Sequence, residues 1–306
     1  AEGDQPQAHQ KHNMASPSAV SDGERVYAWF ATGQLVALDL AGELVWQRHL
    51  GRDHGSYEIV WGHSSSPVLY RDLIILQSDH ENGAYILALD RHSGQPRWKA
   101  DRGPALRSFS TPLVVAGPNG DELVVNANAG LDGYDPSTGE WLWHADGHNE
   151  YPVAAATFDE AGMVYTARGH RAGLYLAVRL GGRGVVDESH VAWRVPTGAP
   201  YVSSILYYEE LIYMANGNGI VTAVDPATGE RVWQDRLGGI YSASPVAGDG
   251  KVYLFSETGE TVVLRAGREP HVLQRNDLGE RVVSSPAVSG GRIFIRTDDA
   301  LLAVGQ

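Results

Sequence analysis

Residues 65–98 read SSPVLYRDLIILQSDHENGAYILALDRHSGQPRW. Two serines and a proline open the stretch. Short apolar runs follow, Val68 to Tyr70, Leu73 to Leu76 and Ala84 to Leu89, and Trp98 closes it. Arg71-Asp72, Glu81-Asn82-Gly83 and Ser93-Gly94 interrupt the runs. Runs this short, rich in β-branched and aromatic residues and punctuated by Gly, Asp and Asn, are strands joined by turns, with no room for a helix of ten residues. The Asp-x-x-Ser/Thr-Gly segment suits a tight turn, because Asp bonds the backbone two residues on and Gly supplies positive φ.

The unit recurs at a spacing of roughly 40–50 residues, the range of propeller-type repeats. An earlier copy holds Ala15-Ser16-Pro17, Val26-Tyr27, Leu35 to Asp39 and Trp46. A third has Ser110-Thr111-Pro112, Leu131 to Asp135, Thr138-Gly139 and Trp143. The fourth is degenerate, keeping Val164-Tyr165, Tyr175 to Val178 and Trp193. The fifth holds Ser203-Ser204, Val221 to Asp225, Thr228-Gly229 and Trp233. The sixth, from Ala243-Ser244-Pro245, ends near Val272-Leu273 without Trp. The seventh has Ser284-Ser285-Pro286, Ile293-Phe294 and Leu301 to Val304.

Four short strands per repeat, repeated radially, make an all-β propeller of about seven four-stranded blades. A β-solenoid needs a shorter period and fits poorly. Small residues before each Pro allow the innermost strands to approach one another, and the recurring Trp buries a large area between neighbouring sheets. Residues 1–12 (AEGDQPQAHQKH) read as a polar tail, and 13–306 as a single propeller domain.

Composition narrows the function. The 306 residues carry a net charge of −13, which disfavours nucleic acid and anionic membrane as partners. No apolar run approaches the ~20 residues of a membrane span. There is no cysteine, which removes disulfides, thiolate metal sites and cysteine nucleophiles.

The Ser-Ser-Pro, Leu-x-Ala-Leu-Asp, Thr-Gly and Trp pattern resembles the pyrroloquinoline-quinone (PQQ) propeller repeat, from about residue 13 to residue 304. That repeat builds quinoprotein alcohol dehydrogenases and BamB-like outer-membrane assembly factors. The resemblance implies a bacterial, extracytoplasmic protein, and it also allows a fragment of an eight-bladed one. The quinoprotein branch typically carries an adjacent-cysteine pair over the cofactor and a metal held by Glu, Asn and Asp. This chain shows neither, so no cofactor is expected and PQQ with calcium is disfavoured.

Loops at one mouth of a propeller channel usually form the site. Four residues before each Pro, or its equivalent, stand Asn13, His63, Ser108, Tyr151, Tyr201, Tyr241 and Val282. One position earlier stand His12, Gly62, Arg107, Glu150, Pro200, Ile240 and Arg281. The longest insertion between repeats, Gly51 to Gly62, ends beside His63 and contributes Trp61.

The candidate contact set is therefore His12, His63, Arg107, Glu150, Tyr151, Tyr201, Tyr241, Arg281 and Trp61. Aromatic faces stack and Arg pairs anions, so the set suits a small polar ligand or a partner protein. His12, His63 and Glu150 could form a two-His, one-carboxylate set, but nothing in their spacing demands a metal. The favoured reading is a scaffold without demonstrable catalysis. One alternative is a lyase or hydrolase acting on a carbohydrate or other polar substrate through the same residues. A weaker one is a PQQ-dependent dehydrogenase.

Overall fold

The computed structural model describes residues 9, 11, 15–55, 59, 61–81, 83–103, 106–170 and 173–305. Within them seven antiparallel sheets follow one another in chain order. The contacts divide them into two compact units, residues 1–152 with 180–187, and residues 153–179 with 188–306.

The first unit holds three sheets. Val20–Ser21, Arg25–Trp29, Gln34–Asp39 and Leu44–His49 form the first. Val68–Tyr70, Leu73–Ser78, Ala84–Asp90 and Pro96–Gly103 form the second. Leu113–Gly117, Gly120–Asn126, Gly130–Tyr134 and Trp141–Asp146 form the third. A fifth strand, Gly184–Val185, runs parallel beside Trp143 and His144. Two residues are too few for an alternation to show, so pattern alone does not reveal this strand.

The second unit holds four sheets. The fourth consists of Thr157–Phe158, Met163–Ala167, Tyr175–Arg179 and Val191–Val195. Leu206–Tyr208, Leu211–Ala215, Ile220–Val224 and Arg231–Arg236 make the fifth. The sixth contains Val246–Gly248, Lys251–Phe255, Glu260–Arg265 and His271–Asp277. The seventh has three strands among the described residues, Ala287–Ser289, Arg292–Arg296 and Leu301–Gly305.

Each of the first six sheets carries a bulge or register shift within its outer hairpin, between Ala37 and Leu38, for example. The extra residue increases the local twist of the ribbon. The recurring Asp caps the turn: Asp90 accepts from the backbone N–H of His92 and Ser93, and Asp135 from Ser137 and Thr138.

The small residues before each Pro do more than make room. Their hydroxyls form a ladder from sheet to sheet. In the first unit Ser66 Oγ accepts from the Ser18 N–H, and Thr111 Oγ1 from the Ser66 N–H. In the second unit Ser204, Ser244 and Ser285 accept from Ala155, Ser204 and Ser244. Each hydroxyl gives a backbone N–H an acceptor on the neighbouring sheet.

Among the described residues α-helix is confined to one turn, Leu50–His54, at the start of the insertion after the first sheet. It is anchored by Leu50, which packs with Tyr27, Trp29 and Leu35.

Candidate binding site

The insertion ends at Trp61, whose φ of 69° lies in the left-handed region, as does the 81° of the following Gly62. A bulky residue there is strained and has to be held by its surroundings. Trp61 is held by rings. Tyr151 lies 5.3 Å away, His9 meets it edge-on at 5.4 Å, and Phe109 stands at 6.4 Å. Its indole remains half-exposed.

Arg107 adds a cation to this group. Its guanidinium sits over the Tyr151 ring, 5.5 Å from the centroid, and Nε donates to Glu81 Oε1 at 2.8 Å. The backbone under it is pinned. The Arg107 carbonyl accepts from the Asn128 N–H, and the Arg107 N–H donates to Asn128 Oδ1. Asn149 Oδ1 accepts from the Tyr151 N–H, and the Phe109 N–H donates to the Pro152 carbonyl. Trp61, Arg107 and Tyr151 therefore come from three separate loops and meet on a fixed base. Glu150 is half-buried beside them.

His63 is not part of the open surface. It is 1% exposed, its ring lies 3.8 Å from that of Trp29, and its Nε2 lies 3.1 Å from the Ser65 carbonyl oxygen. That contact places a proton on Nε2 and makes the ring a core element. His12 lies outside the described residues, so the His12, His63 and Glu150 set is not described as a group.

In the second unit Arg281 repeats the setting of Arg107. Its carbonyl accepts from the Asp298 N–H, and its guanidinium stands 3.9 Å from Glu257. Glu257 also accepts from the Ser242 hydroxyl at 2.5 Å. Tyr201 is exposed and lies 5.0 Å from the His170 ring. Tyr241 is 2% exposed, and burial pushes its phenol up to about 12.

Four residues before the Pro, His63, Ser108, Tyr241 and Val282 are buried, while Tyr151 and Tyr201 stay accessible. One residue earlier, Ile240 and Arg281 reach solvent and Arg107 partly does, whereas Gly62 and Pro200 are buried.

Sequence reasoning missed a second polar assembly in the first unit, built on Arg102. Its Nε donates to Asp79 at 2.8 Å, Nη1 to the Tyr134 hydroxyl at 2.8 Å, and Nη2 to Asp132 at 3.1 Å. Burial alone would favour a neutral Arg102, and the two carboxylates more than offset it. Asp132 also meets His144 Nδ1 at 2.8 Å, while His144 Nε2 faces Asp146 at 3.1 Å. A carboxylate at each ring nitrogen favours the protonated form of His144, whose pKa is raised chiefly by the Asp132 hydrogen bond. The group locks the second sheet to the third. Only the polar residues of an otherwise apolar interface could have revealed it, and in sequence they look like ordinary surface charges.

These features define a β-propeller repeat protein with a rigid aromatic and cationic surface in its first unit. The chain belongs to the family described as outer membrane protein assembly factor BamB, which it matches over residues 2–101, 60–174, 128–268 and 217–304. The assembly factor BamB of Burkholderia pseudomallei is 30% identical over 106 residues, 34% of this chain. The match spans only 27% of that relative's length.

Among solved structures, BamB from Moraxella catarrhalis aligns with a TM-score of 0.73 at 16% identity, covering 95% of this chain and 82% of that one. That likeness shows the propeller fold. The quinohemoprotein alcohol dehydrogenase of Comamonas testosteroni also aligns, at TM-score 0.63 and 14% identity, over 91% of this chain and 62% of its own. At this identity the likeness shows the fold alone. The chain has no cysteine, and no three His, Asp or Glu side chains among the described residues are gathered to hold a metal.

Proposed function

We propose that this chain is a non-catalytic scaffold that binds a partner protein during outer-membrane protein assembly, in the extracytoplasmic space. The observation that carries the reading is the surface formed by Trp61, Tyr151 and Arg107. Trp, Tyr and Arg are the residue types that dominate binding energy at protein interfaces. Here they stand on a base fixed by backbone hydrogen bonds, so little ordering is left to be done on binding. Glu81 holds the guanidinium edge without covering its face. The second unit, taken by itself, exposes Tyr201 and Arg281, residues of the same types. Family membership supports the partner class, and the net charge of −13 suits a protein partner better than a polyanion.

The test is binding of the purified chain to the soluble domains of the outer-membrane assembly machinery from a bacterium encoding it. Trp61→Ala and Arg107→Ala should each weaken binding at least about tenfold. Binding that ignores both substitutions removes this surface from the interface.

A further inference from the structure

The chain carries a net charge of −13, yet the insertion after the first sheet opens on cations. Residues 48–54 read RHLGRDH, two arginines and two histidines against one aspartate. They span the end of the outer strand Leu44–His49 and the helical turn Leu50–His54. Leu50 is buried with Tyr27, Trp29 and Leu35, which fixes the turn, and Arg52 and Asp53 are exposed on it. These two residues line a cleft of about 460 Å³ together with Gln34, Gln47, Arg48 and His49. Every lining residue belongs to the first sheet or its helical turn, so the cleft is complete within the first unit.

The cleft is furnished with donors. Arg48 Nε donates to the Gly94 carbonyl at 2.9 Å and Nη2 to Gln95 Oε1 at 3.1 Å, which holds the guanidinium in place. Its Nη1 is left 3.9 Å from Asp53, beyond hydrogen-bond reach. Gln34 Oε1 accepts the Thr32 hydroxyl, so its amide NH2 is the group left to donate. Register sets Gln34 directly opposite His49, which puts the amide and the imidazole on one face. Arg52 makes no hydrogen bond or ion pair to another described residue. One aspartate at 3.9 Å therefore leaves two guanidinium groups incompletely neutralised. The field next to the cleft has the matching sign. Burial lowers the His54 pKa, and the charges of Lys99 and Arg48 lower it further against the opposing pull of Asp53.

We propose that this cleft binds a phosphate group, held by the guanidinium groups of Arg48 and Arg52 with Gln34 and His49 as further polar contacts. Guanidinium forks match phosphate oxygens two at a time. A tetrahedral oxyanion turns acceptors in several directions, and the donors here arrive from two strands and a helical turn. A planar carboxylate would engage a single fork. Free phosphate and a phospholipid headgroup share this chemistry. The site is independent of the partner-binding surface at Trp61.

Calorimetric titration of the purified chain with inorganic phosphate at low salt tests the proposal. Saturable single-site binding is expected, weakening as sodium chloride is added. Arg52→Glu should weaken it at least about tenfold, and Arg52→Lys, which keeps the charge, should lose less. Arg52 is exposed, so the unfolding curve of Arg52→Glu should match that of the wild type. Arg71→Glu, an exposed charge reversal on the second sheet, and Trp61→Ala should both leave phosphate binding unchanged. Co-sedimentation with phosphatidylglycerol vesicles separates the two sources. Vesicle binding that Arg52→Glu removes, without binding of free phosphate, makes the headgroup the ligand. If neither free phosphate nor vesicles bind, or if binding survives Arg52→Glu, the cleft is not a phosphate site.

Discussion

Trp46 lies over Gly94. A Cβ on Gly94 would stand 2.8 Å from the indole ring, and the indole N–H donates to the Arg91 carbonyl in the same turn. The relationship recurs at Trp98 with Gly139 and at Trp193 with Gly229. The two most conspicuous marks of the repeat, Thr-Gly and Trp, are thus two halves of one contact between adjacent sheets. Gly is needed twice over, for its positive φ and for the missing side chain.

Gly139→Ala should therefore cost about 2–4 kcal/mol, adding overpacking to left-handed strain, because its Cβ would meet Trp98 at 2.4 Å. Gly23 shares the positive φ but has open space around it, so Gly23→Ala should cost only about 1 kcal/mol. Urea denaturation of the two variants measures the difference, and equal losses would contradict the interlock.

Glu122 is buried and accepts from the Trp143 indole N–H at 2.6 Å and the Gly181 N–H at 2.8 Å. Glu122→Ala leaves both donors without an acceptor and should destabilise by about 2–4 kcal/mol. Glu122→Gln keeps one acceptor and should lose less. Hydrogen exchange at the Gly181 amide should speed up in the alanine variant.

The His144 contact has a pH signature. Its folded pKa is raised above the ordinary 6.5, so its stabilisation is complete below 6.5 and is lost as pH rises through the folded value. Asp132 shifts the other way: burial pushes it up, but the His144 and Arg102 contacts bring it below 3.8. Its stabilisation is complete above 3.8 and disappears as pH falls through the lower folded value. The stability difference between wild type and His144→Gln should be greatest between these limits and shrink toward pH 9. A difference independent of pH would contradict the paired imidazolium.

Tyr241 has a buried hydroxyl with no hydrogen-bond partner among the described residues. Tyr241→Phe should be neutral or stabilise by up to about 1 kcal/mol, since it removes an unsatisfied polar group. Partner binding should not change. A clear loss of stability or binding would give that hydroxyl the contact role read from the sequence.

Sheet count, blade order and turn chemistry were legible because each rests on local pattern: Asp90 and Asp135 cap turns wherever Gly follows, and Trp recurs at one strand position. Arg107 and Tyr151 were singled out by mapping repeats onto equivalent places, and Trp61 by its place in the insertion; the structure puts the three near one another. The burial of His63 and Tyr241 was not legible, since it depends on what packs around each, Trp29 on His63 and Val252 and Leu254 in the cluster of Tyr241, which a count from Pro does not show. The Arg102, Asp79 and Asp132 assembly was invisible for a different reason. Its members are 53 residues apart at most, yet nothing local marks a charged residue one of whose counter-charges arrives from the next sheet.

The most direct test of the scaffold reading is isothermal titration of the wild-type chain and Trp61→Ala against the assembly-machinery domains, with unfolding curves for both. The account predicts binding weakened at least about tenfold with stability nearly unchanged. Undiminished binding by Trp61→Ala would contradict it.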